Sequence, residues 1–156
     1  MKLCVFSDSH GCPSKMLAFI GRENPDLVIH LGDGAADFEK IKMQFPQMPI
    51  KAVRGNCDYT SSLPEKDFFS VNGVGIFITH GHLYGVKGAD DALLNAARCQ
   101  GARLALFGHT HSAIIREKDG VCLFNPGSCG YGSSASCGLV DISDSGVFRC
   151  SIVPLS

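Results

Sequence analysis

A basic surplus is missing from this chain. Its 14 Lys and Arg are matched by 15 Asp and Glu, for a formal charge of -1 and a pI near 6.6, so no cationic face is expected to neutralise a nucleic-acid backbone. Also missing is any apolar run near the ~20 residues that a membrane helix needs. The opening MKLCVFSDSH has a short apolar stretch that turns polar and acidic at once, and it reads as neither a signal peptide nor a membrane span. The cysteines Cys4, Cys12, Cys57, Cys99, Cys122, Cys129, Cys137 and Cys150 contain no Cys-x-x-Cys spacing. Eight of them in a small secreted chain would suggest a disulfide framework. Without an export signal they are expected to be reduced thiols in a cytoplasmic protein, most of them small core residues. Internal repeats, linkers and charge blocks are absent too.

What is present suits one compact domain over 1–156. With 45% hydrophobic and 19% charged residues, a chain of this length can bury a sizeable core. KLCVFS reads as a buried strand, SKMLAFIGRE behind Pro13 as a helix, and DLVIHLG and IKAVRG as further strands, a βαβ-like first half. DFFSV and VGIFITHG meet at Asn72-Gly73, a hairpin signal, and ADDALLNAARCQ then has helical spacing. RLALFG is another buried strand. From Ser112 onward AIIREK, VCLFN, CGLVDI and GVFRCSIV read as a strand-rich meander, broken by Asp119-Gly120, Ser145-Gly146 and a Gly/Ser-rich segment at 127–138 that is expected to be a flexible loop.

The metal-competent side chains fall in a pattern. Asp8 and His10 follow the first strand in SDSHG, Asp33 follows the second in LGDG, and Asn56 follows the third in RGNCD. His80 follows a later strand in THGH, and His109 and His111 follow the next in GHTH. In open α/β sheets ligands collect at the carboxyl ends of strands, so successive strand ends can deliver these groups to one crevice. Two carboxylates, four imidazoles and one amide exceed a single structural zinc site and suit two metals with open positions. Extended backbone would point His109 and His111 the same way.

The order D-x-H, GD, GN, H, G-H-x-H resembles the calcineurin-like metallophosphoesterase family, and GNCD at 55–58 with NPGS at 125–128 is similar to its small bacterial and archaeal phosphodiesterases. The resemblance implies an α/β fold, a four-layer αββα sandwich of two mixed β-sheets flanked by helices, with metals at the strand ends. It also implies that Asp8, His10 and His111 hold one metal and Asn56, His80 and His109 the other, with Asp33 bridging. The implied cofactors are two divalent transition metals, manganese foremost, with iron, zinc or nickel as alternatives. The implied reaction is hydrolysis of a small phosphodiester by in-line attack of a bridging hydroxide, with Asp33, Asn56 and His82 as catalytic residues. A homo-oligomer is a possible assembly. The alternative is a non-catalytic interaction scaffold on the same fold, like the retromer subunit that resembles the family.

Several residues have two readings. His30 lies within a strand and reads as a hydrogen-bonded core histidine rather than a ligand. His82 either faces the site to support a ligand or contact phosphate, or sits outside it. Asp37 and Asp58 either hold ligating groups or are solvated loop carboxylates. Asn125 and Ser128 either support a ligand loop or only make a turn. Cys57 departs from the broader family, which often has a histidine there. A thiol carries no positive charge and donates hydrogen bonds weakly, which puts cleavage of esters with basic alkoxide leaving groups in doubt. Specificity is expected in loops 59–66, 83–90 and 127–137.

Overall fold

The computed structural model describes residues 1–130 and 134–156. Its first half alternates strand and helix: β1 (Lys2–Phe6), α1 (Ser14–Glu23), β2 (Leu27–His30), α2 (Ala35–Gln44) and β3 (Ile50–Ala52). There follow β4 (Lys66–Val71), β5 (Val74–Thr79), a 3₁₀ turn over His82–Tyr84, α3 (Asp91–Cys99) and β6 (Leu104–Leu106). Last come β7 (Ile114–Lys118), β8 (Val121–Asn125), β9 (Ser136–Ile142) and β10 (Phe148–Pro154). Two five-stranded sheets result, in the orders β10-β9-β1-β2-β3 and β4-β5-β6-β8-β7. Both are mixed: β1, β2 and β3 run parallel, as do β5, β6 and β8, with antiparallel strands at the flanks.

Period-2 alternation sorts the apolar residues into three layers. Leu3 and Val5 face Ile76, Ile78, Leu104, Leu106 and Phe124 in the core between the sheets. Their neighbours Cys4 and Phe6 point outward against Met16, Phe19 and Ile20 of α1 and Ile41 of α2. On the other outer face Phe77, Ala105 and Leu123 pack on Leu93, Leu94 and Ala97 of α3. The fold is therefore the four-layer α/β sandwich. Each fully buried large side chain contributes about 1.5–3 kcal/mol relative to exposure, so the sheets form a stiff base for the loops at their ends.

The structure departs from the sequence reading in several places. The apolar pattern predicts no helix where α2 lies, because the inner face of α2 carries the buried Asp37 beside Phe38 and Ile41, which breaks the apolar stripe. The strand-rich final third is not one meander: β7 and β8 pair in one sheet, and β9 and β10 pair in the other. Of the segment at 127–138, Ser128 and Cys129 are buried and Ser136–Gly138 belong to β9, so these parts are not loose loop. Residues 131–133 of that segment lie outside the described residues. Of the cysteines, Cys4, Cys122, Cys129 and Cys137 are buried, Cys150 is half-buried, and Cys12, Cys57 and Cys99 are exposed. None of the helices among the described residues is long and apolar enough to cross a membrane.

Candidate metal centre

The carboxyl ends of β1, β2, β3, β5 and β6 meet at one edge of the sandwich. Backbone bonds lace their loops together: Asp8 N–H donates to Gly32 O at 3.0 Å, His10 N–H to Asp33 O at 3.0 Å, and Gly108 N–H to His80 O at 3.0 Å. Two glycines permit this closeness. A Cβ on Gly55 would strike the Asp33 carboxylate, and one on Gly108 would strike the Ser7 hydroxyl and stand 2.8 Å from Asp8 Oδ2.

Within this weave the seven sequence-derived residues come together. His111 Nε2 lies 3.1 Å and His10 Nε2 3.8 Å from Asp8 Oδ1, and the two imidazole nitrogens are 3.4 Å apart. His80 Nε2 lies 3.4 Å from Asp33 Oδ2 and 3.1 Å from Asn56 Oδ1. The His109 ring stands 5.1 Å from that of His80, centre to centre. Asp33 Oδ2 is 3.9 Å from His10 Nε2, so this carboxylate lies between the His10 and His80 groups. His82, on the 3₁₀ turn, faces the same edge, its ring 5.4 Å from His80 and 6.2 Å from His109.

The backbone at these positions is unusual. Asp8, His10, Asp33, His109 and His111 all have positive φ, between 44° and 67°. Left-handed backbone costs a non-glycine residue roughly 1–2 kcal/mol, and such strain gathers where surrounding structure enforces a functional geometry. It also corrects the expectation that His109 and His111 share an extended segment. They diverge from a left-handed turn, His109 toward His80 and His111 toward His10 and Asp8.

Supporting residues brace the ligand loops. Asp58 accepts from four backbone amides: Asp33 at 2.7 Å, Gly34 at 3.0 Å, Ala35 at 2.9 Å and Gly55 at 2.8 Å. One carboxylate thus ties the Asp33 loop, the start of α2 and the Asn56 loop. Asp37, buried in α2, accepts from Ser9 Oγ at 2.7 Å and Gly11 N–H at 2.8 Å, on either side of His10. His30 Nδ1 accepts from Gly32 N–H at 3.2 Å, which places its proton on Nε2, 3.2 Å from Ser9 Oγ. The relay runs from His30 through Ser9 to Asp37, and burial pulls the His30 pKa down to about 4. Asn125 donates to Gly108 O at 2.9 Å and Ser128 to Asp8 O at 2.8 Å, so NPGS supports two ligand loops. Sequence reasoning missed Ser9 and the strain; the buried donor Ser9 between Asp8 and His10 carried no readable signal.

Electrostatics set the ionisation of the cluster. For Asp33, burial opposes ionisation, but the His80 contact and the Cys57 N–H bond at 2.8 Å outweigh it and hold the carboxyl well below its usual range. His80 is likewise depressed by burial, yet the Asp33 bond and the charges of Asp8 and Asp33 raise it overall. His82 and His109 are lowered by burial and then by His80, which favours the neutral imidazole that a cation takes. Cys57 is raised by burial and by Asp33.

The donor set fits divalent cations. Asp8 Oδ2 accepts from Ser7 Oγ at 2.6 Å and His109 N–H at 3.1 Å, whereas buried Asp8 Oδ1 has no hydrogen-bond donor among the described residues and faces His111 Nε2 at 3.1 Å. A buried carboxylate oxygen left so is costly unless a charge meets it. It points into the cluster, among ligand atoms of Asp8, His10 and His111 and of Asp8, Asp33 and His80 that lie within 4.8 Å of one another.

Residues 1–145 match the model of the calcineurin-like phosphoesterase superfamily domain. This chain belongs to that family. It is 33% identical over 134 residues to a probable metallophosphoesterase, YsnB, of Bacillus subtilis, covering 82% of this chain and 75% of the relative. Phosphodiesterase MJ0936 of Methanocaldococcus jannaschii is 32% identical over 150 residues, covering 84% and 86%. The crystal structure of zinc-complexed Vps29 from Entamoeba histolytica superposes with a TM-score of 0.78 over the whole of both chains at 22% identity, a likeness of fold. As a member of a family of metal-dependent phosphoesterases, the chain carries a phosphoric ester hydrolase fold with its metal-competent residues assembled.

Proposed function

We propose that the chain is a two-metal phosphodiesterase acting on small diesters. The observation that carries this reading is the grouping of Asp8, His10, His111, Asp33 and His80 about the buried Asp8 Oδ1, with Asn56 and His109 joined to the group through His80. Asp8, His10 and His111 would hold one cation, and Asn56, His80 and His109 the other, with Asp33 shared between them. When bound, divalent cations acidify water toward neutrality and draw charge from phosphoryl oxygens. Manganese suits these donors, as do iron, zinc and nickel.

The chain's own groups do the rest. Asp33, held ionised by its neighbours, brings the negative charge that two closely spaced cations require. Asn56 adds a neutral oxygen and leaves net positive charge for an anionic substrate. His82 faces the site as a neutral ring beside His80, placed to contact a phosphoryl oxygen. Cys57, beside Asp33, is a thiol pushed away from ionisation; it offers no positive charge to a leaving alkoxide, which favours diesters with activated or strained leaving groups.

The alternative is a non-catalytic scaffold, to which the fold likeness to Vps29 lends some weight. Against it stands the complete donor set, five members of which hold left-handed backbone and three of which, Asp8, Asp33 and His80, are buried polar groups, features that a scaffold has no need to keep. The test is a screen of phosphomonoesters and phosphodiesters with chelator-stripped and manganese-loaded protein. Hydrolysis of diesters only when loaded supports the proposal. Metal-independent turnover, or none with any metal, contradicts it.

A further inference from the structure

A groove of about 520 Å³ opens beside the metal centre, between the first turns of α2 and the loop at 57–63. Cys57 forms its inner end, and the Cys57 Sγ lies within 4.8 Å of ligand atoms of His10 and Asp33. The groove therefore begins where a phosphoryl group would sit, and its volume is within the range of small-molecule sites. Ala35 and Ala36 form one wall, and Tyr59, Thr60 and Ser62 the other.

Its chemistry is selective. No Lys or Arg is among its lining residues. The Gly34 and Ala35 amides at the start of α2, which would otherwise attract an anion, are taken by Asp58, itself part of the lining. Lys42 is spent on Glu39 at 3.1 Å. The groove thus offers a second phosphate no cationic side chain and sets the carboxylates of Glu39 and Asp58 against it. It offers instead Tyr59, an aromatic residue 85% exposed, together with hydroxyls. The wall is firm, since Ser61 N–H donates to Asp58 O at 3.0 Å and Leu63 N–H to Ser61 Oγ at 3.2 Å, and Asp58 is the same residue that ties the Asp33 and Gly55 loops.

From this geometry we infer that the groove is the subsite for one ester arm of the diester, that the arm is an uncharged ring system of nucleoside size, and that Tyr59 stacks on it. The inference rests on the phosphodiesterase reading and adds its substrate class. Stacking of a base on an aromatic side chain is worth enough to change affinity by about tenfold or more.

The test compares thymidine 5′-(4-nitrophenyl phosphate) with methyl 4-nitrophenyl phosphate, which share a leaving group, on manganese-loaded wild type, Tyr59→Ala and Tyr59→Phe. The wild type should prefer the thymidine diester, Tyr59→Ala should lower that preference about tenfold through KM rather than kcat, and Tyr59→Phe should keep it. An equal preference in wild type and Tyr59→Ala overturns the inference. Titration calorimetry with the thymidine ester of methylphosphonic acid, which the enzyme need not cleave, separates the two readings. Binding that weakens in Tyr59→Ala supports the groove even if no diester is hydrolysed, and binding that does not change overturns it.

Discussion

At the far ends of the strands, Asn24, Asn72 and Asp119 take left-handed backbone, and at the metal edge Asp8, His10, Asp33, His109 and His111 do the same. The far-end positions follow local turn chemistry. Asn24 closes α1, and Asn72 and Asp119 each precede a positive-φ glycine in a two-residue hairpin turn. Asn and Asp are the residues that tolerate this conformation best. At the metal edge two aspartates and three histidines, side chains that also tolerate this region, take it outside any hairpin turn. The strain there is held by Asp58, Asp37 and the interlaced loops, and its return is the placement of donor atoms. One end spends its irregular backbone on turning the chain, the other on bringing donor atoms together.

The comparison breaks most sharply at the brace. Asp58→Ala leaves four amides without their carboxylate and should weaken metal affinity by about 10–100-fold, the usual cost of losing a group that orients ligands. Competition with a fluorescent chelator would measure it. Asn72→Ala, which removes a far-end bond to Ser143 O, should leave metal affinity as in the wild type; equal losses in the two variants would erase the distinction between the ends.

A smaller effect comes from His30. The unfolded chain takes up this proton near pH 6.5, the native state only near about 4. The stability it allows is complete above pH 6.5 and is lost as pH falls toward 4, because the unfolded state then binds the extra proton. Between pH 7 and pH 5 the loss is about 2 kcal/mol. Urea unfolding of metal-free wild type and His30→Gln should show that this part of the acid sensitivity disappears in the variant. An unchanged pH dependence would show that the buried relay does not titrate.

Smallest is the strain itself. His111→Gly relieves a left-handed residue at roughly 1–2 kcal/mol but adds the chain entropy of glycine, roughly 0.5–1 kcal/mol, so metal-free protein at pH 8 should gain up to about 1.5 kcal/mol while losing metal. Asn72→Gly, where the turn already suits Asn, should change stability by less than about 0.5 kcal/mol. A destabilised His111→Gly would mean that this loop is not under strain.

Much of this was legible in the sequence. Short continuous apolar runs in KLCVF and VGIFIT identify buried strands, and Asn72-Gly73 identifies the hairpin between β4 and β5. The glycine-flanked polar clusters identified the strand ends that deliver donors. What sequence could not show was anything that depends on two distant segments at once. Asp37 breaks the apolar face of α2 because its partners, Ser9 and Gly11, are 26–28 residues away. Asp58 looks like a loop carboxylate until four amides from two loops converge on it. The left-handed turn at His109 and His111 is imposed by tertiary contacts such as the His109 N–H bond to Asp8; propensity would have made that segment extended.

The most direct test of the central claim is metal stoichiometry. Elemental analysis of manganese-loaded, gel-filtered protein should find two ions per chain in the wild type and fewer than one in Asp33→Asn, because in the proposed centre the carboxylate between the His10 and His80 groups would serve both positions. Two tightly held ions in Asp33→Asn, or none in the wild type, would contradict the account.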